Sequence, residues 1–276
     1  MEPVPRLAVD PTLSRLFEVT GVRLVADGAP ATGEVGAAYV RWPDGHRSVL
    51  TRSPTDPSAL IEVARRAGIP APEYEMVVDL GGAYAVVQEL LPGAPPQTVD
   101  RGLVEQMLGV NRRLAGLVAA RTDLPPVTLH LRTSGPGFCL HQTLAEYSPR
   151  TVRLLRRIHR IGAVRDTADG SDLVHLDYHP QNLLVCDGQV TGLVDWDGAG
   201  RGDGALDLVT LRYDLALRAP DLGPWMDALL TASVAPERLL AYRAHMALRL
   251  VDWAIRHHGP DRVELWLDLA EQQWDG

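Results

Sequence analysis

The sequence contains no lysine, so its 27 permanently cationic side chains are all arginine. It has only two cysteines, Cys139 and Cys186, and neither stands in a metal-ligand spacing or a CxxC motif. This usage favours two reduced thiols in a cytoplasmic protein. No apolar run reaches the roughly 18 residues of a membrane helix, and the first six residues lack the pattern of a secretory signal. We therefore expect a cytoplasmic protein with no membrane partner.

The formal net charge is −8, because 35 acidic side chains outnumber the arginines. This charge argues against nucleic acid as a partner, since binding a phosphate backbone requires a basic surface. It is compatible with a small cationic substrate that is steered electrostatically to an acidic site. It is equally compatible with a charge that serves only solubility.

The first part of the chain has the pattern of a β-sheet. Short runs rich in β-branched and aromatic residues lie at residues 22–25, 37–41, 48–52, 76–79 and 84–88. Such runs are typical of strands, and the Pro-Asp-Gly turn at residues 43–45 predicts a hairpin between two of them. A single short helix is predicted at residues 58–67, where Gly68 and Pro70 end it.

A proline-rich break at residues 92–96 separates this region from a mostly helical one. Apolar residues at helical spacing predict helices at residues 99–120 and 149–161, and three or four more after residue 205. Short strands are predicted near residues 173–175, 183–185 and 190–194. We therefore predict an α+β protein of two lobes, a small β-rich lobe at residues 1–92 and a larger helical lobe at residues 93–276.

The densest polar segment of the chain is His175-Leu-Asp177-Tyr-His-Pro-Gln-Asn182, and it lies between apolar flanks. Asp195 follows Asn182 after thirteen residues, and Asp197 stands two residues later. Phosphoryl transfer requires a carboxylate that orients the attacking hydroxyl, and oxygen ligands that hold Mg²⁺ on the phosphates. Asp177 suits the first role, and Asn182 and Asp195 suit the second.

This spacing resembles the catalytic and metal-binding loops of protein-kinase-like folds. The His-Pro-x-Asn and Val-Asp-Trp forms, and the later Gly202-Asp-Gly-Ala-Leu-Asp207 segment, are similar to the aminoglycoside phosphotransferase family. The resemblance implies an ATP- and Mg²⁺-dependent kinase of small molecules. It implies that Asp177 is the catalytic base, that Asn182 and Asp195 are Mg²⁺ ligands, and that His175 and Asp207 pin the catalytic loop.

The resemblance also implies a nucleotide site in the first lobe. Backbone groups near Glu89 and Leu91 are expected to meet adenine, and a glycine-rich loop that includes Gly33 is expected to cover the phosphates. The family places a lysine on the third strand, and this chain has none. We predict that Arg52 replaces it, paired with Glu62; with a register shifted by one residue, Thr51 takes that position and no cation is present.

The implied acceptor is a cationic antibiotic, either an aminoglycoside or a basic peptide antibiotic of the capreomycin and viomycin class, so that phosphorylation gives resistance. The implied partners are thus this acceptor and a nucleoside triphosphate. In the family resembled, acidic groups of the terminal helices hold substrate amines, and candidates in that region here are Asp252, Asp261, Glu264, Asp268 and Glu271.

Three alternatives stay open from the sequence. The same fold serves metabolite kinases that act on choline, sugars or homoserine. The missing lysine permits a non-catalytic nucleotide-binding protein. On a strand, His175, Asp177 and His179 would share one face, where they could bind the zinc of a metallohydrolase.

Overall fold

The computed structural model describes residues 7–29, 36–124 and 126–275. The chain forms two compact units. Of the described residues, the N unit comprises 7–29, 36–96 and 181–199, and the C unit comprises 97–124, 126–180 and 200–275. The helices are α1 Val9–Thr20, α2 Ser58–Arg66, α3 Arg101–Leu114, α4 His141–Tyr147, α5 Pro149–Gly162, α6 Ala205–Arg218, α7 Gly223–Ser233, α8 Pro236–His257 and α9 Pro260–Asp275. The strands are β1 Val25–Ala26, β2 Ala38–Arg41, β3 Arg47–Ser53, β4 Tyr74–Asp79, β5 Tyr84–Glu89, β6 Val127–Thr128, β7 Thr167–Ala168, β8 Asp172–Val174, β9 Leu183–Cys186, β10 Gln189–Leu193 and β11 Gly200–Gly202.

The N unit is built on an antiparallel sheet with the strand order β1-β2-β3-β5-β4. The predicted hairpin joins β2 and β3, and the Trp42 amide donates to the His46 carbonyl at 3.0 Å across its turn. Four of the five predicted strands lie where the pattern placed them. The run at residues 22–25 yields only the two residues of β1, at the edge of the sheet.

Helix α1 was not predicted, and it covers one face of this sheet. Its Leu16 is 1% exposed and packs with Leu50 of β3 and Val87 of β5. The helix ends at Gly21, whose φ of 72° is the left-handed conformation that glycine adopts without strain. Apolar residues at helical spacing, followed by a glycine, were therefore a usable signal.

A second element of the N unit is the hairpin of β9 and β10. Its two-residue turn, Asp187-Gly188, has positive φ angles of 50° and 74°, which match the twist of a tight hairpin. Val185 of β9 exchanges backbone hydrogen bonds with Ala94 at 2.9 and 3.2 Å. The hairpin is thus joined to the segment that follows β5.

The C unit is mostly helical. The helix predicted at residues 99–120 is shorter, because α3 begins after its cap Asp100, which accepts from the Leu103 amide at 2.8 Å, and ends at Leu114. The predicted α5 and the four helices after residue 205 are present, whereas the short α4 was not predicted. Two small antiparallel strand pairs, β6 with β7 and β8 with β11, complete the unit.

These features confirm the predicted α+β class with a sheet-rich N-terminal region and a helical C-terminal part. The boundary predicted after residue 92 stays a prediction; residues 181–199 pack with the N unit although they lie far beyond that boundary. Cys139 is buried and Cys186 is exposed, and both are free thiols. None of the helices in the described ranges is both long and apolar enough to cross a membrane.

Candidate functional site

The loop of residues 175–179 in the C unit, called the catalytic loop here because the family resemblance implies that role, follows directly after β8. Its backbone is held by Asp207 at the start of α6, whose carboxylate accepts from the amides of His175 and Leu176, both at 2.9 Å. Burial raises the pKa of Asp207 to about 7, although the two amide donors act in the opposite direction. Asp207 therefore pins the loop in the way that the family resemblance implied.

The same loop is anchored in the core from its other side. The hydroxyl of the buried Tyr178 donates to the Met107 carbonyl at 2.7 Å. The fully buried His175 lies edge-on to the Tyr178 ring, with the ring centroids 6.2 Å apart. These contacts leave little freedom to the residues on either side of Asp177.

Asp177 itself is accessible, since its side chain is 39% exposed. Its carboxylate lies 3.4 Å from Nε2 of His179 and 3.7 Å from Nη2 of Arg249. Burial raises its pKa, but the electrostatic interaction and hydrogen bond with His179, together with the interactions with Arg249 and His175, outweigh burial and hold the pKa well below its usual range. Asp177 is therefore an ionised carboxylate that a ligand can reach.

The zinc alternative for this segment is wrong. Strand β8 ends at Val174, so His175, Asp177 and His179 do not alternate along a strand. Across the described part of the chain, no group of three or more histidine, cysteine, aspartate or glutamate side chains is arranged to hold a metal ion. The fully buried His175 serves the core instead.

The hairpin of the N unit brings Asn182 and Asp195 together. Asn182 immediately precedes β9, and Asp195 is the second residue after the end of β10. The Val194 amide donates to the Asn182 carbonyl at 2.9 Å, so the two predicted ligands stand at the same end of the hairpin. Asp195 is exposed and has a φ of 67°. A side-chain amide oxygen and an exposed carboxylate are ligand types that Mg²⁺ prefers.

Asp197 lies against the sheet of the N unit. Burial raises its pKa to about 6, while a hydrogen bond from the Ser53 hydroxyl acts in the opposite direction. Tyr74 of β4 lies near the same carboxylate, since burial and then the charges of Asp197 and Asp195 raise the pKa of its hydroxyl. Sequence reasoning did not identify Ser53 or Tyr74, and neither carries a motif that would have revealed it.

The register of β3 decides which residue faces Asp197. Arg52 is paired with Ala85 of β5, which belongs to the apolar cluster on the α1 side of the sheet. Directly opposed residues share a face and neighbours along a strand alternate. Arg52 therefore lies on the α1 face, whereas Thr51 lies on the same face as Ser53, which binds Asp197.

The nucleotide-binding role of Arg52 stays a prediction, as does that of Glu62. Glu62 is 59% exposed on α2 and forms an ion pair with Arg66, one helical turn away. The Nε atom of Arg52 is buried and finds no hydrogen-bond partner among the described residues. Gly33 lies outside the described residues.

The segment expected to meet adenine is well fixed. The Glu89 amide donates to the Glu73 carbonyl at 2.8 Å, and the Glu89 carboxylate accepts from the Glu73 amide at 3.1 Å. Leu91 lies beside Leu184 of β9, because both side chains approach the position of a β-carbon on Gly192 within about 3 Å. The roles of Glu89 and Leu91 stay predictions.

The acidic side chains of α9 form ion pairs within the C unit. The Arg150 guanidinium contacts Glu264 at 2.5 Å, Asp268 at 2.6 Å and Glu271 at 2.6 Å. Asp252 of α8 is fully buried and accepts from the Leu140 amide at 2.9 Å. Four of the acidic residues considered for substrate amines thus have partners inside the protein.

One family model matches most of the chain. The family model described as the APH phosphotransferase enzyme family matches residues 39–248. The chain belongs to this family. The match covers the N-terminal sheet from β2, the catalytic loop, the β9–β10 hairpin and most of α8. This phosphotransferase is therefore an enzyme that transfers phosphate to a hydroxyl group.

Solved structures agree with this family in fold. A thermostable mutant of aminoglycoside phosphotransferase APH(4)-Ia matches with a TM-score of 0.69 at 14% identity, over 95% of this chain and 97% of that one. An aminoglycoside-3'-phosphotransferase of type VIII matches with a TM-score of 0.57 at 21% identity, over 84% and 97%. An aminoglycoside phosphotransferase from Alicyclobacillus acidocaldarius matches with a TM-score of 0.57 at 18% identity, over 91% and 89%. No curated protein sequence matches this phosphotransferase.

Proposed function

We propose that this phosphotransferase transfers the γ-phosphate of ATP to a hydroxyl of a small molecule, with Asp177 as the catalytic base. The observation that carries the proposal is the accessible, ionised carboxylate of Asp177 on a loop fixed by Asp207 and Tyr178. A carboxylate so fixed can orient an acceptor hydroxyl and take its proton as the bond to phosphorus forms. Rigid placement of the base supports a rate advantage through orientation.

Asn182 and Asp195 are the residues that we propose to hold Mg²⁺. The ion would neutralise charge on the phosphates when bound. Both side chains stand at one end of the β9–β10 hairpin. Asp177 is only five residues before Asn182, so the chain confines the two to within about 18 Å even if fully extended.

The nucleotide is proposed to lie along the N unit, with adenine against the backbone of residues 89–91. The fixed Glu89 and the apolar contact of Leu91 with Leu184 support this placement. A mutant of APH(4)-Ia, similar to this chain with a TM-score of 0.67 at 16% identity over 95% of this chain and 97% of that one, was solved as a ternary complex with ADP and hygromycin B.

The acceptor is proposed to be an antibiotic, in line with the aminoglycoside phosphotransferases of similar fold. The net charge of −8 supports a cationic acceptor. The expected consequence is drug resistance by O-phosphorylation. A metabolite kinase that acts on choline, a sugar or homoserine is the second candidate, since the same donor site serves any alcohol.

A panel assay tests the proposal. Aminoglycosides that include hygromycin B, basic peptide antibiotics, macrolides, choline, sugars and homoserine are each incubated with the protein and Mg-ATP. The products are screened by mass for an added phosphate. Phosphorylation of an antibiotic supports the first candidate, and phosphorylation of a metabolite alone supports the second.

The Asp177→Asn variant is the matched control, because it keeps the shape of the side chain and removes the charge. It is expected to bind Mg-ATP as the wild type does and to lose at least ~10²-fold in turnover. Unchanged turnover would contradict the assignment of the base. Mg-ATP binding without turnover by the wild type on every acceptor would favour the non-catalytic alternative.

A further inference from the structure

Arg249 of α8 contacts the proposed catalytic base and two backbone carbonyls. Its Nη1 donates to the Leu176 carbonyl at 2.5 Å, and its Nε donates to the Gly137 carbonyl at 3.0 Å. Its Nη2 lies 3.7 Å from Oδ1 of Asp177, and the side chain is only 16% exposed. A planar guanidinium with five N–H donors in fixed directions is suited to hold three groups at once.

The contact with Leu176 has a particular significance. Leu176 directly precedes the catalytic base and has a φ of 69°, which a bulky side chain rarely adopts. Such a conformation persists only where several contacts enforce it. Asp207 holds the amide of Leu176 and Arg249 holds its carbonyl, so the two side chains fix the peptide units on both sides of this residue.

The contact of Arg249 with Gly137 links it to a tight turn between β6 and α4. The Gly135 amide donates to the Cys139 carbonyl at 3.1 Å and closes this turn. At its tip, Gly137 and Phe138 have positive φ angles of 70° and 64°. The turn, residues 135–139, is thus a second strained segment that Arg249 binds through a backbone carbonyl.

Other side chains of α8 attach the same turn to the helix. The ring of Phe138 lies edge-on to His257, with centroids 5.4 Å apart, and the Arg256 guanidinium lies 5.3 Å from its centroid. The Leu140 amide, just after the turn, donates to the buried Asp252. The turn is therefore fixed to one face of α8, and Arg249 is its link to the catalytic loop.

We propose that Arg249 is a positioning residue that fixes the catalytic loop and the turn of residues 135–139 relative to each other. The proposal rests on the assignment of Asp177 as the base. One guanidinium contacts both segments, because its Nε binds the Gly137 carbonyl and its Nη2 lies near the Asp177 carboxylate. Loss of Arg249 would therefore free the catalytic loop from the turn and misplace the base relative to the acceptor hydroxyl.

Arg243 supplies a matched control on the same helix. Its side chain is 14% exposed, lies 3.4 Å from Asp227 and donates to the Gln273 carbonyl at 2.8 Å. It is thus as buried as Arg249 and bonded in the same way, to a carboxylate and a backbone carbonyl. Arg243→Met removes an equivalent arginine without touching the catalytic loop or the turn.

The first measurement is amide hydrogen exchange by mass spectrometry on the wild type, Arg249→Met and Arg243→Met, at a temperature where all three are folded. Arg249→Met is expected to accelerate exchange in both segments, residues 134–141 and 175–179, by about 10- to 100-fold. Arg243→Met is expected to change neither segment. Acceleration of only one segment, or of both by Arg243→Met, would overturn the proposed link.

The second measurement is turnover, followed as ADP release from Mg-ATP in the presence of the acceptor from the panel and, separately, with water as acceptor. Arg249→Met is expected to lower kcat by about 10- to 100-fold while the KM for ATP changes by less than threefold, because the base and not the nucleotide is misplaced. Added guanidinium chloride is expected to restore part of kcat in Arg249→Ala but none in Arg243→Ala.

An unchanged kcat in Arg249→Met would contradict the positioning role. Asp177→Asn, assayed in parallel, separates this failure from a failure of the proposed function. If Asp177→Asn is inactive and Arg249→Met is fully active, only the role of Arg249 is wrong. If Asp177→Asn retains full turnover, the assignment of the base is wrong as well.

Discussion

The catalytic loop of the C unit and the end of strand β3 in the N unit differ in how completely they meet the needs of phosphoryl transfer. The catalytic loop has an accessible carboxylate, and Asp207 and Arg249 fix the backbone of the residue before it. At the end of β3, the face that meets Asp197 carries the uncharged Thr51 and Ser53, and Arg52 lies on the opposite face.

This difference indicates which parts of a kinase site can be replaced by other chemical groups. The proton of an acceptor hydroxyl requires one group at one place, so the base and its supports are closely defined. Charge on phosphates can be balanced by a metal ion, by backbone amides or by several side chains. An enzyme without any lysine can therefore keep the catalytic loop intact, while other groups balance the phosphate charge near the end of β3.

The largest effect on stability is expected at Gly93, in the segment that connects β5 to the β9–β10 hairpin. Its φ is 105°, and a β-carbon there would lie 2.8 Å from the Val185 carbonyl oxygen. Gly93→Ala is expected to lower the free energy of unfolding by roughly 1–3 kcal/mol, because it adds backbone strain and a clash with backbone. Urea unfolding measures this loss.

Gly45→Ala is the matched control for that variant. Gly45 has a similar φ of 96°, but no atom lies within 4 Å of the position of its β-carbon. It is expected to lose only about 1 kcal/mol, the cost of the conformation alone. Equal losses at both glycines would show that the contact with the hairpin contributes nothing.

Two titratable groups, one in each unit, are expected to respond to pH in opposite directions. In the N unit, burial raises the pKa of Asp197 from an ordinary 3.8 to about 6. The folded state then binds more protons than the unfolded state, so this group lowers the free energy of unfolding as pH rises from about 4 to 6. In the C unit, burial lowers the pKa of His245 from 6.5 to about 3, so that group destabilises as pH falls below about 6.5.

Asp197→Asn and His245→Gln separate these two contributions. Each variant is expected to change the free energy of unfolding between pH 4 and pH 6.5 by on the order of 1 kcal/mol, with opposite slopes. Urea unfolding at several pH values, in the presence of EDTA, measures both. Parallel slopes in the two variants would contradict the assignment of opposite shifts.

The smallest effect is expected at Arg52. Since its strand face is directed to the apolar cluster with Ala85, Arg52→Met should change the KM for ATP by less than about threefold. Arg47→Met, an exposed arginine at the other end of β3, is the control. A tenfold rise in KM for Arg52→Met alone would establish Arg52 as the phosphate-binding cation and remove the difference between the two regions.

The sequence predicted the parts of the molecule that depend on local spacing. Asp177, Asn182 and Asp195 lie close in the chain, and the strand patterns around them predicted β8, β9 and β10, whose ends lie near these residues. The choice between Arg52 and Thr51 was not predictable in this way, because a shift of one residue reverses the face of every side chain on a strand. Arg249 was not predictable either, since it is 72 residues from Asp177 and resembles the many other arginines of the chain.

The two cysteines differ in the reactivity of their thiols, so the protein can be labelled at a single site. Burial raises the pKa of the Cys139 thiol to about 12, so it stays protonated and inert. Cys186 is exposed at the end of β9, on the same hairpin as Asn182 and Asp195. A maleimide fluorophore should therefore attach to Cys186 alone, and a change in its emission on addition of Mg-ATP would support the proposed site on this hairpin without any engineered residue.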